Sequence, residues 1–181
     1  MRLLLKPLAT LLPWRSKEPH ADKLYGAIMA QARLPVLYQR LGAPDTLEGR
    51  FVVLTLHLFA VLHRLKNGGP QAAEMAQALA DLFTADMETV LREVGVGDMS
   101  IPKKVRKLIA SGAGLLQSYE EAYACGGERL QETIAEALPG DEDAARAAGA
   151  QLTPYLEEVL RELETQSVQD LCVGTLRFPP I

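Results

Sequence analysis

Apolar positions recur along this chain at spacings of three and four residues, the period of a helix with one buried stripe. One stretch departs from that rule. From Phe51 to Leu65 the chain reads FVVLTLHLFAVLHRL, apolar except for Thr55, His57, His63 and Arg64, so apolar side chains fall on nearly every side of a helical wheel. A helix of that kind is buried on most sides. The stretch is short of the about 20 apolar residues that cross a bilayer. It also exceeds the roughly 3–10 residues of a usual strand. It therefore predicts a central buried helix. Pro44 to Arg50 opens it: Asp45 followed by Glu48 has the form of a capping box, with Thr46 as a competing cap. Asn67-Gly68-Gly69-Pro70 ends it.

The flanking blocks predict further helices. Residues 16–21 read as a linker, and Asp22 as an N-cap. Leu24, Tyr25, Ile28, Met29 and Ala32 then mark a first helix to about Leu34. Pro35 opens a short helix to Leu41, closed by Gly42. A stripe from Met75 to Val94 marks a helix over 71–94, stopped by Gly95-Val96-Gly97. Ser100 and Pro102 start another, over 101–124. Gly112 and Gly114 lie near its middle and either admit a close neighbouring helix or mark a bend. Helices follow over 128–138 and 142–173, the last with an interruption at Pro154. No strand–helix alternation occurs. The expected fold is all-α: a single compact helical domain of about seven helices around a buried central helix. Residues 22–174 form that domain, 1–21 a basic apolar tail and linker, and 175–181 an extended tail.

Composition narrows the function classes. The 181 residues suffice for one domain with a real core. The net charge of −4 is unevenly spread. Residues 1–17 hold Arg2, Lys6, Arg15 and Lys17 and no acid, whereas 128–166 are rich in Asp and Glu. An acidic stretch of this kind reads first as a solvated helix face. Cys125 and Cys172 form no spaced pair, which fits a reducing compartment. The N-terminal MRLLLKPLATLLPWRSK lacks a small-residue cleavage site and so is not read as a signal peptide. Its leucines, Trp14 and bases suit either an anionic membrane surface or a loosely docked tail.

The sharpest local anomaly is Lys103, Lys104, Arg106 and Lys107, bases packed into the first two turns of a helix. Bases there oppose the helix dipole by about 0.3–1 kcal/mol each. At 100° per residue they share one surface, a candidate for binding an RNA backbone, lipid head groups or an acidic protein segment. An ordinary solvated face is the plain alternative. Gly95-x-Gly97 follows a helix and lacks a third glycine, so it is helix-end chemistry, not a dinucleotide fingerprint. His57 and His63 lie about 120° apart on a helix, too far round to clamp one ion, and each reads as a core or boundary histidine with a hydrogen-bond partner. No catalytic, cofactor or metal motif is present. The residues alone thus give catalysis little support and describe a soluble α-helical binding or interaction domain.

Three blocks add a resemblance. The first is Tyr25-Gly26-Ala27-Ile28-Met29-Ala30-Gln31-Ala32-Arg33 with Pro35, Tyr38 and Leu41-Gly42. The second is Pro44-Asp45-Thr46-Leu47-Glu48-Gly49-Arg50-Phe51, continuing into Leu56-His57-Leu58. The third is Asp86-Met87-Glu88, then Leu91 through Val105. In this order they resemble the ubiquinol–cytochrome c chaperone family, the assembly factors of the cytochrome bc1 complex, over about Leu24 to Tyr123. The resemblance implies an all-helical, non-enzymatic chaperone with no cofactor. Its implied client is newly made cytochrome b. Its other implied contacts are the ribosome or an anionic membrane surface and a small partner subunit, but not DNA. It places the protein in the cytoplasm, peripheral at the inner membrane. Tyr25, Asp45, Arg50, Asp98 and Lys104 match the family blocks and, with Lys103, Arg106 and Lys107 of the basic face, are the candidate partner-binding residues; Gly49, Gly95 and Gly97 match the blocks as well. Two other readings stay open: a helical ligand carrier or enzyme with an interhelical pocket, and a peripheral membrane or RNA-binding module.

Overall fold

A computed structural model describes residues 19–93 and 101–181. Among these residues the chain forms α1 (Pro19–Ala32), α2 (Pro35–Gln39), α3 (Leu47–Leu65), α4 (Pro70–Glu93), α5 (Ile101–Cys125), α6 (Gly127–Ala137), α7 (Glu142–Thr165) and α8 (Val168–Cys172), and no strand. The all-α expectation holds. Helix α3 is the hub, packing against α1, α4, α5 and α7, while α6 lies against α5 and α7. Every residue from Val52 to Val61 is buried. The Thr55 hydroxyl in this run is satisfied one turn back, donating to the Phe51 carbonyl at 2.8 Å.

Four local expectations change. Helix α1 begins at Pro19, so 19–21 are not linker, and Ala21 is wholly buried. Proline suits a first helical turn, where its missing N–H would have no partner. At the entrance of α3, Thr46 is the cap, accepting from the Gly49 N–H at 3.1 Å. Asp45 instead turns to Arg50. The third change is at Pro154, which does not interrupt α7. Its ring is exposed, while Leu152 before it and Leu156, Val159 and Leu160 after it are buried. Packing on both sides of the proline offsets the roughly 3 kcal/mol that proline costs in a helix interior. The break comes at Gln166-Ser167, where Ser167 caps α8 by accepting from the Asp170 N–H at 3.0 Å. That break divides the expected last helix, so that the described residues form eight helices where about seven were expected.

Close approaches set the helix spacing. A Cβ on Gly112 would lie 3.0 Å from the Phe83 ring and 3.4 Å from Phe51. Gly112 therefore lets α5 press against α3 and α4, while a Cβ on Gly114 would meet nothing within 4 Å. A Cβ on Gly149 would come within 2.9 Å of the Gln131 carbonyl, where α7 crosses α6. Arg64, near the end of α3, donates to the Leu163 and Gln166 carbonyls at 2.9 and 2.7 Å. A cation there also complements the negative end of α7. The extended residues after α8 fold back onto the core. The Gln166 side chain donates to the Arg177 carbonyl and accepts from its N–H, both at 2.8 Å. The Phe178 ring meets His57 edge-on at 5.6 Å.

Candidate functional site

The approach to α3 forms the clearest surface site. α1 ends at Ala32, α2 runs from Pro35 to Gln39, and the chain turns at Gly42 to enter α3. This turn gathers Arg33, Pro35, Tyr38, Gln39, Asp45 and Arg50 around an open cleft of about 280 Å³. Asp45 accepts from the Arg50 Nε–H at 2.6 Å. That bond holds the Asp45 carboxyl below its usual range and raises Arg50 above its own. The Arg50 guanidinium also lies 5.9 Å from the centre of the Tyr38 ring, within cation–π range. The Tyr38 hydroxyl donates to the Ala32 carbonyl at 2.6 Å, which locks α2 onto the end of α1. Burial raises the Tyr38 hydroxyl, with Arg50 opposing and Asp45 assisting. Leu47, in the first turn of α3 and two residues after Asp45, is 46% exposed.

A second cleft, of about 250 Å³, lies between α5 and α7 and is lined by Tyr123, Glu157, Arg161 and Glu164. His63 and Lys66 border this region from α3, donating to the two Glu120 carboxylate oxygens at 2.8 and 2.6 Å. Burial acts to raise the Glu120 carboxyl, but these two hydrogen bonds hold it below the usual carboxylate range. Among the described residues no group of three or more His, Cys, Asp or Glu is placed to hold a metal ion.

The two histidines have separate partners. His57 is buried, and its Nδ1–H donates to the Val53 carbonyl at 2.8 Å. A carbonyl only accepts, so Nε2 is the bare nitrogen and takes the Tyr155 O–H at 2.7 Å. Tyr155 in turn accepts from Gln31 at 2.9 Å. This chain ties α3, α7 and α1 together. Burial lowers the His57 pKa to about 4 and raises that of Tyr155 to about 12. Both histidines thus serve as core or boundary residues.

The candidate residues fall into four groups. Asp45 and Arg50 meet at the cleft. Tyr25 does not join them: it is buried, and its hydroxyl donates to Asp86 of α4 at 3.1 Å. Desolvation by burial, then the Asp86 charge, raise its pKa. Lys103, Lys104, Arg106 and Lys107 lie in the first two turns of α5, where the Lys107 side chain is exposed. Asp98 lies outside the described residues, with Gly95 and Gly97. The cleft adds Arg33 and Tyr38 to Asp45 and Arg50. Both were visible in the sequence only as members of the first block, with nothing to show that they face the second.

A family model described as ubiquinol-cytochrome C chaperone matches residues 39–178. The chain belongs to this family. Its fold is similar to the crystal structure of the Cbp3 homolog from Brucella abortus, with a TM-score of 0.76 and 30% identity over 89% of each chain. No curated protein matches it. The match to the chaperone family reaches the C-terminal tail at Phe178, well past Tyr123, where the sequence resemblance ended. It starts at Gln39, after Arg33 and Tyr38, so it takes in the Asp45–Arg50 side of the cleft and leaves out the other. The region beyond Tyr123 holds α6, α7 and α8, which supply the partners of His57, Arg64 and the tail. No helix among the described residues of this chaperone is long and apolar enough to cross a membrane.

Proposed function

We propose that this protein, a chaperone by family, receives newly made cytochrome b and assists its assembly into the cytochrome bc1 complex. The observation that carries the reading is the family match across residues 39–178. In this reading the chaperone works in the cytoplasm, peripheral at the inner membrane. The apolar, basic residues 1–17 supply weak membrane affinity. The Lys103–Lys107 face steers the molecule toward a ribosomal or anionic lipid surface, and a small partner subunit completes the assembly. Tyr25 and Asp98 stay candidates, Tyr25 through the α1–α4 packing it secures and not by direct contact.

The reading of a ligand carrier or enzyme has weaker support. The two clefts described above, of about 250 and 280 Å³, are open and lined largely by polar and charged side chains. Small-molecule sites usually enclose about 300–1,000 Å³ with mostly apolar walls.

Photo-crosslinkers placed at exposed positions on α1 (Gly26, Ala30) and at Lys107 test the proposal in cells. Cytochrome b is the expected product, and deletion of the gene is expected to deplete assembled cytochrome bc1 complex. Normal levels of that complex in the deletion strain, with no cytochrome b crosslink, would sink it. Charge reversal at Lys103, Lys104, Arg106 and Lys107 tests the steering face separately, with salt-dependent membrane or ribosome association as the readout.

A further inference from the structure

The Arg33–Arg50 cleft has more positive charge than its own carboxylate answers. Its lining holds two arginines and one aspartate. Arg50 engages Asp45 through Nε alone, so its two terminal nitrogens keep their donors. Arg33 is exposed and forms no ion pair among the described residues. It follows the last residue of α1, and the negative end of that helix offsets the cost of bringing it near Arg50. The half-buried Tyr38 ring and Pro35 line the same cleft and give it apolar surface. Exposed Leu47 sits at the start of α3.

We propose that this cleft docks an acidic segment of a partner protein, with a partner carboxylate bridging Arg33 and the free donors of Arg50. An apolar neighbour of that carboxylate rests on Tyr38 and Leu47. Two planar guanidinium forks match carboxylate geometry. Asp45 already shows what a carboxylate does here, and it sits at the mouth as an internal competitor. The same Asp45 disfavours a polyanionic surface at this cleft. At this cleft a lipid headgroup layer or an RNA backbone would meet the Asp45 carboxylate with many charges at once, whereas one acidic side chain needs only the two arginines. The proposal stands on the cleft and holds whether or not the client is cytochrome b.

Fluorescence anisotropy of the full chain with a labelled hexaglutamate peptide at low salt tests it. The wild type is expected to bind hexaglutamate through the two arginines. Arg33→Ala is expected to weaken binding about 5-fold, and Arg33→Ala with Arg50→Ala to abolish it. Asp45→Asn removes the competitor and is expected to tighten binding about 3-fold or more. These side chains are exposed, and a circular dichroism melt verifies that each variant folds. The gain in Asp45→Asn is a readout that a misfolded protein would not give. Absence of hexaglutamate binding, or equal affinity in the wild type and the double variant, overturns the proposal. So does binding of phosphatidylglycerol vesicles or polyuridine through these same arginines without binding of hexaglutamate. Peptide affinity is read in vitro, apart from complex assembly in cells, so failure here and failure of the chaperone reading are distinct results.

Discussion

Tyr119 and His57 show how single polar atoms are placed in an apolar core. The Tyr119 ring packs 5.8 Å from Phe59 and is wholly buried, yet its hydroxyl has no hydrogen-bond partner. A buried hydroxyl without a partner costs about 1–3 kcal/mol. Tyr119→Phe is therefore expected to stabilise the protein by about 1 kcal/mol, raising Tm by roughly 2–4 °C in a thermal melt. A lower Tm would mean that the hydroxyl has a partner, such as a buried water. His57 contributes in the opposite way, with every ring nitrogen bonded. Its folded pKa of about 4 lies below the unfolded value of about 6.5. Between those values the unfolded chain binds a proton that the folded chain refuses. The contribution is whole above about pH 6.5 and fades as pH falls toward 4, on the order of 3 kcal/mol in all. Urea midpoints from neutral to mildly acidic pH should fall more steeply for the wild type than for His57→Gln. Parallel curves would remove His57 as the cause.

At the scale of an element, the entrance to α3 combines scaffold and contact positions within a few residues. A Cβ on Gly49 would overlap the Pro44 carbonyl, where the chain crosses the first turn of the helix. Alanine gains about 1 kcal/mol in helix propensity, but backbone against side chain has nowhere to yield. Gly49→Ala is expected to destabilise the protein by about 2 kcal/mol or more in denaturant titration. Asp45→Asn and Arg50→Gln touch an exposed pair and should leave the denaturation midpoint close to that of the wild type. If Gly49→Ala proved neutral, the stretch would not be held as described. Reading the family blocks could not make this division, because a matching residue looks the same whether it packs or binds. The same limit applied to Tyr25, which matched a block and is buried against α4.

Across the whole molecule, the C-terminal tail closes the core that α3 begins. Phe178 covers His57, and Gln166 clasps Arg177 with two backbone hydrogen bonds. Truncation after Thr175 exposes the histidine and leaves the buried Gln166 amide without those partners. The expected loss is about 3 kcal/mol, a Tm lower by roughly 5–10 °C. The truncated chain should also show a weaker pH dependence, because His57 regains water. An unchanged Tm would make the tail an appendage. At this scale too, the acid-rich second half and the Arg33–Arg50 cleft sort partners by charge, an effect that no single helix carries.

The sequence by itself determined what depends on near neighbours. Helical periodicity placed the helices, the unbroken apolar run marked α3 as the buried centre, and three ordered blocks pointed to the chaperone family. These signals work because a helix is built from contacts three and four residues apart. The tertiary structure decided what depends on distant residues. His57 found Tyr155 far along the chain, and Pro154 stayed inside α7 because packing on both sides outweighed its local cost. Asp45 gave up the cap to Thr46 and paired with Arg50 instead. Arg33 and Arg50 came to line one cleft because Tyr38 locks α2 onto the end of α1. Each of these outcomes turns on which side chains meet after folding, and spacing along a sequence carries no such information.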